Sequence, residues 1–264
     1  MDKIASFRML HAARSILVLP NAWDAASAAI VRATGAKAIA TTSAGVAWTC
    51  GYPDGNVLPR NDLLFILRAV CRVAGDTPVT ADVEGGYSRE PEHVADLVAS
   101  LREIGVAGIN LEDGTDEPEL LAAKIQAIKR GGDIFINARI DVLLADLASG
   151  EKALHEIIAR ARRYEEAGAD GIFVPMLSGR DEIRAIATQI KLPLSIMAVP
   201  GLPPLTELYE LGVRRVSAGP AITKLALGTA RHASAAFVQG EDVDALFSGT
   251  TVGFDEMNAI FSAV

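Results

Sequence analysis

At 264 residues the chain has room for one large domain or two small ones. Half of its residues are apolar and 22% are charged, enough to bury a substantial core, which excludes disorder. No run approaches the roughly 20 apolar residues of a membrane helix, and the formal charge of −8 opposes a phosphate backbone and argues against nucleic acid as a partner.

In chain order, Met1 to His11 reads as a short amphipathic segment without the roughly 7–15-residue apolar core of a secretory signal. Strands are expected at Ile16–Leu19, Ala36–Thr41, Pro78–Val83, Val106–Leu111, Ile134–Ala138, Gly171–Val174, Leu194–Ala198 and Arg215–Ala218. Helical patterns separate most of them, as over Asp62–Ala74, Pro91–Glu103, Glu151–Ala167 and Arg180–Gln189. One phrase recurs at the junctions: Thr34-Gly35-Ala36, Ile104-Gly105-Val106, Ala167-Gly168-Ala169 and Leu211-Gly212-Val213. Each glycine suits the left-handed residue that ends a helix, and the apolar residues after it open a buried strand. Eight strands alternating with helices predict an α/β chain of the (β/α)8 TIM-barrel class, a single domain over 1–264. A doubly wound open sheet is the alternative, but no G-x-G-x-x-G follows the first strand. Residues Ile222 to Val264 exceed one barrel unit and read as a helical extension suited to a neighbouring subunit. Cys50 and Cys71 form no C-x-x-C motif and no disulfide framework, so a reducing, cytoplasmic setting is expected.

Strand side chains alternate between faces. Val79, Ala81 and Val83 oppose Thr80, Asp82 and Glu84; Ile109 and Leu111 oppose Asn110 and Glu112; Ile134, Ile136, Ala138 and Ile140 oppose Phe135, Asn137, Arg139 and Asp141. The apolar parity suits the helix layer, so the polar parity points into the barrel. Asp82, Glu84, Glu112 and Arg139 then lie at the carboxyl ends of the strands, where barrel active sites form. Carboxylates about 5 Å apart on adjacent strands repel by roughly 3 kcal/mol per pair at an effective dielectric of about 20. Mg²⁺, a hard cation that accepts carboxylates and waters, answers that repulsion, whereas zinc would want histidine or cysteine. The alternative is an inward salt-bridge network with Arg139 alone, in which one guanidinium must serve three acids.

The segment Thr42-Ser43-Ala44-Gly45-Val46 offers backbone N–H groups and a hydroxyl to an anion, and Gly51-Tyr52-Pro53-Asp54-Gly55 brings a further acid; a plain turn is the competing reading of each. Ser217-Ala218-Gly219-Pro220 reads either as a phosphate site or as a tight turn. No lysine falls at a strand's carboxyl end, which disfavours a Schiff base, and His11, His93, His155 and His232 fall on predicted helices and are expected at the surface. Cys50, in the loop after the second strand, could approach the mouth but is expected as a small buried or half-exposed thiol.

With these residues in view, the chain resembles the isocitrate lyase/phosphoenolpyruvate mutase superfamily over nearly its whole length. The resemblance is carried by Leu19-Pro20-Asn21-Ala22-Trp23-Asp24-Ala25, Thr42-Ser43-Ala44-Gly45-Val46, Gly51-Tyr52-Pro53-Asp54, Ala81-Asp82-Val83-Glu84-Gly85-Gly86-Tyr87, Asn110-Leu111-Glu112-Asp113 and Asn137-Ala138-Arg139-Ile140-Asp141. It implies a Mg²⁺-dependent barrel, with Mn²⁺ as a possible substitute, that binds a small keto or hydroxy acid and stabilises a pyruvate-like enolate. It also implies a homotetramer, a dimer of dimers whose subunits exchange a C-terminal helix. By the same resemblance Asp82, Glu84 and Glu112 form the metal site, with Asp82 also meeting substrate. Asp54 is a further acid beside the metal, Ser43 with the backbone of Ala44 and Gly45 holds the substrate carboxylate, and Arg139 binds that carboxylate or the developing enolate oxygen.

Two departures shape the expected reaction. Glu84 stands where many relatives have aspartate, and the Lys-Lys/Arg-Cys-Gly-His loop of the family's lyases is replaced by Glu112-Asp113-Gly114-Thr115-Asp116-Glu117-Pro118, which runs straight into a helix. The longer gating loop of the mutases is not evident either. Decarboxylation of an oxaloacetate-type 2-oxo acid needs neither loop and is the leading expectation. The alternatives are P–C bond chemistry on phosphonopyruvate or phosphoenolpyruvate, isocitrate-type C–C cleavage without the usual cysteine, and a non-catalytic keto-acid binder.

Overall fold

The structure is a computed structural model and describes residues 2–240, 243–247 and 249–262. Asp2 caps the first helix, α1 (Lys3–His11), by accepting from the Ile4 and Ala5 amides. There follow β1 (Leu17–Leu19), β2 (Asn21–Ala22), α2 (Ala25–Ala33), which Asp24 and Ser27 close in a reciprocal capping box, β3 (Ile39–Thr41) and the short α3 (Ser43–Thr49). From α4 (Arg60–Ala74) the alternation is regular: β4 (Val79–Asp82), α5 (Pro91–Glu103), β5 (Gly108–Glu112), α6 (Pro118–Gly131), β6 (Phe135–Arg139), α7 (Gly150–Ala167) and β7 (Gly171–Val174). It continues through α8 (Arg180–Gln189), β8 (Leu194–Met197), α9 (Leu205–Glu210) and β9 (Val213–Ser217) to α10 (Ala221–Val238), a 3₁₀ turn at Val243–Phe247 and α11 (Phe254–Ser262). Of the extension expected over 222–264, residues 241, 242, 248, 263 and 264 lie outside the described residues. Among the described residues no helix is long and apolar enough to cross a membrane.

The strands pair in parallel in the order β1, β9, β8, β7, β6, β5, β4, β3, β2. The two ends of that order, β1 and β2, are separated in sequence only by Pro20. Proline has no N–H to give a ladder, and its carbonyl accepts from Ala40 at 3.3 Å. The stretch from Leu17 to Ala22 therefore acts as one stave that pairs first with β9, Leu17 opposite Arg215, and then with β3, Asn21 opposite Ala40. This closes a (β/α)8 barrel, and the second half of the broken strand is the element that hydropathy missed. The glycines of the recurring phrase, Gly35, Gly105, Gly168 and Gly212, all take positive φ between 80° and 107°, the conformation their place after a helix required.

The two faces of the strands build two cores. Val79, Ala81, Ile109, Leu111, Ile134, Ile136, Ala138 and Ile140 join the large cluster under the helices. Phe135, Leu17, Leu19, Ala38, Ala40 and Ala107 line the barrel's amino-terminal end, where Phe7 of α1 plugs it. Arg8 anchors that plug through Asp133, with two contacts of 2.5 Å, and Asp170 at 3.1 Å. One expectation is corrected here: His11 is not at the surface. It is 3% exposed, its ring stacked 4.2 Å from that of Phe135 and its Nδ1 2.9 Å from the Phe7 carbonyl, because α1 turns inward to seal the barrel. His93, His155 and His232 are exposed.

Candidate active site

At the carboxyl end of the strands a cavity of about 200 Å³ is lined by Ser43, Ala44, Asp54, Asp82, Asn110 and Arg139 on one side and by Leu144, Phe173, Pro175, Met197 and Pro220 on the other. Ser43 and Ala44 open α3, whose leading Thr42 makes no side-chain cap, so the first amides of the helix keep their donors for a ligand. Ser43 and Asp54 line the cavity together. Gly45 sits behind them where a Cβ would fall 2.7 Å from Trp23 Cβ and 2.9 Å from Thr223 Oγ1; only glycine lets α3 lie this close.

Deeper in the barrel a polar ladder holds Asp82 in place. Asn137 Nδ2 donates to Asn110 Oδ1 at 2.9 Å, Asn110 Nδ2 donates to Asp82 Oδ2 at 3.2 Å, and the fully buried Arg215 donates to Asn110 Oδ1 at 3.1 Å. Burial pulls the Arg215 guanidinium down to about 9, so it stays charged at neutral pH. Arg139 is the hub above. Its Nε and Nη2 bind Asp141 at 2.6 and 2.9 Å, its Nη1 lies 2.5 Å from Glu112 Oε2 and 3.9 Å from Asp82 Oδ2. Burial works against the Arg139 charge, but Glu112, Asp82 and Asp141 overrule it and hold the guanidinium protonated well above its ordinary range.

The acids are not satisfied by that hub. Burial pushes the Glu112 carboxyl up to about 8 despite Arg139, and Glu112 Oε2 and Glu84 Oε1 are buried without a hydrogen-bond partner. The Glu112–Arg139 contact is close but off the hydrogen-bonding direction. Partial burial likewise raises the Asp54 carboxyl, the Ser43 hydroxyl pulling it back. Among the described residues no three Asp, Glu, His or Cys side chains stand close enough to enclose an ion by themselves. The donor set is nevertheless that of Mg²⁺, which keeps most of its waters and takes one or two carboxylates. Unpartnered hard oxygens on acids that resist ionisation are what a cation of that kind would relieve.

Of the residues singled out by sequence, Ser43, Ala44, Asp54, Asp82 and Arg139 line the cavity together. Gly45 supports it from behind, Glu112 sits against Arg139, and Glu84 is not part of the lining. Glu84 Oε2 accepts from the Gly55 amide at 2.9 Å and from the Asn56 amide, and its backbone takes a positive φ of 50°, so its longer side chain ties down the loop that carries Asp54. Ser217-Ala218-Gly219-Pro220 is a turn in which Asn21 Oδ1 takes the Gly219 amide at 2.9 Å. The reading by parity missed Asp141 as the bidentate partner of Arg139. It also missed Arg215, whose signal was available, since Arg215 shares strand parity with Ser217. The apolar lining from β7 and β8 carried no signal apart from ordinary strand residues.

Residues 7–238 match the model of the phosphoenolpyruvate phosphomutase family. The chain belongs to this family. A Mycobacterium tuberculosis protein of uncharacterized function is 42% identical to this phosphomutase-family chain over 247 residues, covering 90% of this chain and 91% of the relative. The crystal structure of a putative phosphonomutase from Burkholderia cenocepacia is 41% identical with a TM-score of 0.82, covering 90% of this chain and 98% of that one. A phosphonopyruvate hydrolase solved with oxalate and Mg²⁺ shares the fold at 23% identity and a TM-score of 0.85, over 100% of this chain and 96% of that one.

In this phosphomutase-family barrel the connection after β5 is short and pinned. Asp113 Oδ2 accepts from Tyr164 Oη at 2.7 Å and from Arg160 Nη1 at 2.9 Å, while Oδ1 accepts the Asp141 amide at 2.9 Å. The carboxylate thereby locks the strand ends of β5 and β6 to α7, and α6 begins five residues after Glu112 ends β5.

Proposed function

We propose that the chain is a Mg²⁺-dependent lyase of small 2-oxo acids that works through an enolpyruvate-like intermediate, with oxaloacetate-type decarboxylation as its reaction. The observation that carries this reading is a cavity that brings the uncapped α3 amides together with the Asp82–Arg139 pair, with Glu112 beside it against Arg139. A phosphonopyruvate hydrolase of the same fold was solved with oxalate and Mg²⁺, which supports a keto-acid head. Asp82 and Glu112, with Asp54 and Glu84 through water, are the residues that would hold the ion. When bound, Mg²⁺ polarises the 2-oxo group and offsets the charge that develops on its oxygen.

The protein's own groups do the rest. The Ser43 hydroxyl and the Ala44 and Gly45 amides orient the C1 carboxylate, and Arg139, fixed by Asp141, presents its remaining Nη1 edge to negative charge at the enolate oxygen. As the C3–C4 bond breaks, CO₂ leaves, the electron pair passes into the enolate, and C3 takes a proton. In this reading that proton comes from water.

We also propose that subunits associate through α10 and α11 as a dimer of dimers, since Leu225 and Phe254 on these helices are 72% and 82% exposed. The functional test is turnover of oxaloacetate to pyruvate with and without Mg²⁺. Wild type is expected to show Mg²⁺-dependent decarboxylation and Asp82→Ala to lose both turnover and Mg²⁺-dependent oxalate binding. Wild type inert towards oxaloacetate at saturating Mg²⁺ would sink the decarboxylase reading, and oxalate binding unchanged in Asp82→Ala would sink the metal assignment.

A further inference from the structure

The lining of the cavity divides by strand. Going round the barrel, Asp82, Asn110 and Arg139 come from the consecutive strands β4, β5 and β6, whereas β7 and β8 contribute Phe173, Met197 and, just beyond β7, Pro175, with Leu144 above them. One arc is therefore charged and the arc from β7 and β8 is apolar, with Ser217 of β9 next to Met197 where the polar lining resumes. Met197 is fixed in its place: a Cβ on Gly219, which has a positive φ of 57°, would fall 2.5 Å from the Met197 sulfur, so the thioether is seated against a bare backbone.

Cations are scarce in this cavity. Among the lining residues Arg139 is the sole cation, and Asp141, Glu112 and Asp82 already surround it. A 2-oxo acid head with Mg²⁺ meets the charged arc. A second fixed anion at the far end of the ligand would lie against Leu144, Phe173 and Met197 with no counter-charge, stripped of water and unpaired.

We propose that the apolar arc receives the part of the substrate distal to its 2-oxo acid head and selects substrates whose cleaved fragment departs uncharged. This inference rests on the keto-acid reading of the site given above and names the class of leaving group. In decarboxylation the C3–C4 bond breaks, its electron pair stays on the C3 side as the enolate, and the C4 carboxylate becomes neutral CO₂. The charge facing the apolar arc disappears as the bond breaks, so the arc disfavours the bound ground state more than the transition state. A phosphonate gives up one charge to the enolate but leaves as a fragment that is still anionic, and the extra carboxylates of a tricarboxylic acid keep their charge throughout, so neither departs uncharged. Alkyl substitution near C3 fits the same surface.

Calorimetric binding with Mg²⁺ to the full chain tests this with four probes: oxalate, 2-oxobutyrate, 2-oxovalerate and 3-sulfopyruvate. Oxalate reports the head alone, the two alkyl acids add apolar length, and sulfopyruvate adds a fixed anion. Affinity is expected to rise about fourfold from 2-oxobutyrate to 2-oxovalerate, the gain for one buried methylene, and sulfopyruvate is expected to bind at least about tenfold more weakly than 2-oxovalerate. Met197→Lys should reverse the order of sulfopyruvate and 2-oxovalerate. Sulfopyruvate binding wild type as tightly as 2-oxovalerate, with oxalate binding intact, overturns the assignment of the arc alone. Loss of Mg²⁺-dependent oxalate binding in wild type overturns the keto-acid reading and this inference with it.

Discussion

His11 is confined between Phe7, Phe135 and Arg215 beneath the candidate site. Burial first, and the Arg215 charge second, hold its pKa down to about 3. In the unfolded chain an ordinary histidine binds its proton near pH 6.5, so the unfolded state gains a proton that the folded state refuses. The contribution to stability is whole above pH 6.5 and is lost as pH falls towards 3, by up to about 1.4 kcal/mol per pH unit. Urea unfolding of wild type and His11→Phe at pH 7.5, 5.5 and 4.5 should show the variant losing less stability on acidification; parallel losses would rule out this role. Sequence could not have revealed the site of this strain, because the burial of His11 depends on Phe135, on a strand far along the chain. Asp82 and Arg139 were legible for the opposite reason: strand alternation alone decides which way they point. Glu84 shows the limit of that rule, since its left-handed backbone turns the side chain towards the Gly55 and Asn56 amides.

Among the elements, α3, to which the proposed function gives the substrate carboxylate, is the one sequence showed least. Small residues and a glycine read as a loop, yet Ser43–Thr49 is helical because Gly45 lets it pack flush against Trp23 and Thr223. Gly45→Ala must push α3 outward, at a cost of about 1–3 kcal/mol in urea unfolding. Moving the Ser43 and Ala44 amides with it should weaken Mg²⁺-dependent oxalate binding on the order of tenfold, the equivalent of about 1.4 kcal/mol. Lower stability with oxalate affinity intact would separate α3 from the ligand. The βα repeats themselves were plain in the sequence, since a glycine forced into positive φ after each helix is a local requirement that no distant contact can replace. The start of β2 was hidden because a two-residue strand behind a proline leaves no period to read.

For the whole molecule, the exposed apolar positions gather on the C-terminal helices, beyond what the barrel needs to cover its own sheet. Paired substitution of Leu225→Asp and Phe254→Asp is expected to reduce the species seen by light scattering to the mass of one chain, 27.8 kDa, without loss of the barrel's circular dichroism. An unchanged mass would place the subunit contact elsewhere. The stave broken at Pro20 has a consequence in time. Its second half meets β3 soon after both are made, but its first half waits for β9, about 200 residues later. At roughly 5–20 residues per second of synthesis, one edge of that strand stands unpaired for about 10 to 40 seconds on the ribosome. During this interval α1 has no finished barrel to plug, and the nascent chain is at its most open to pairing with another strand.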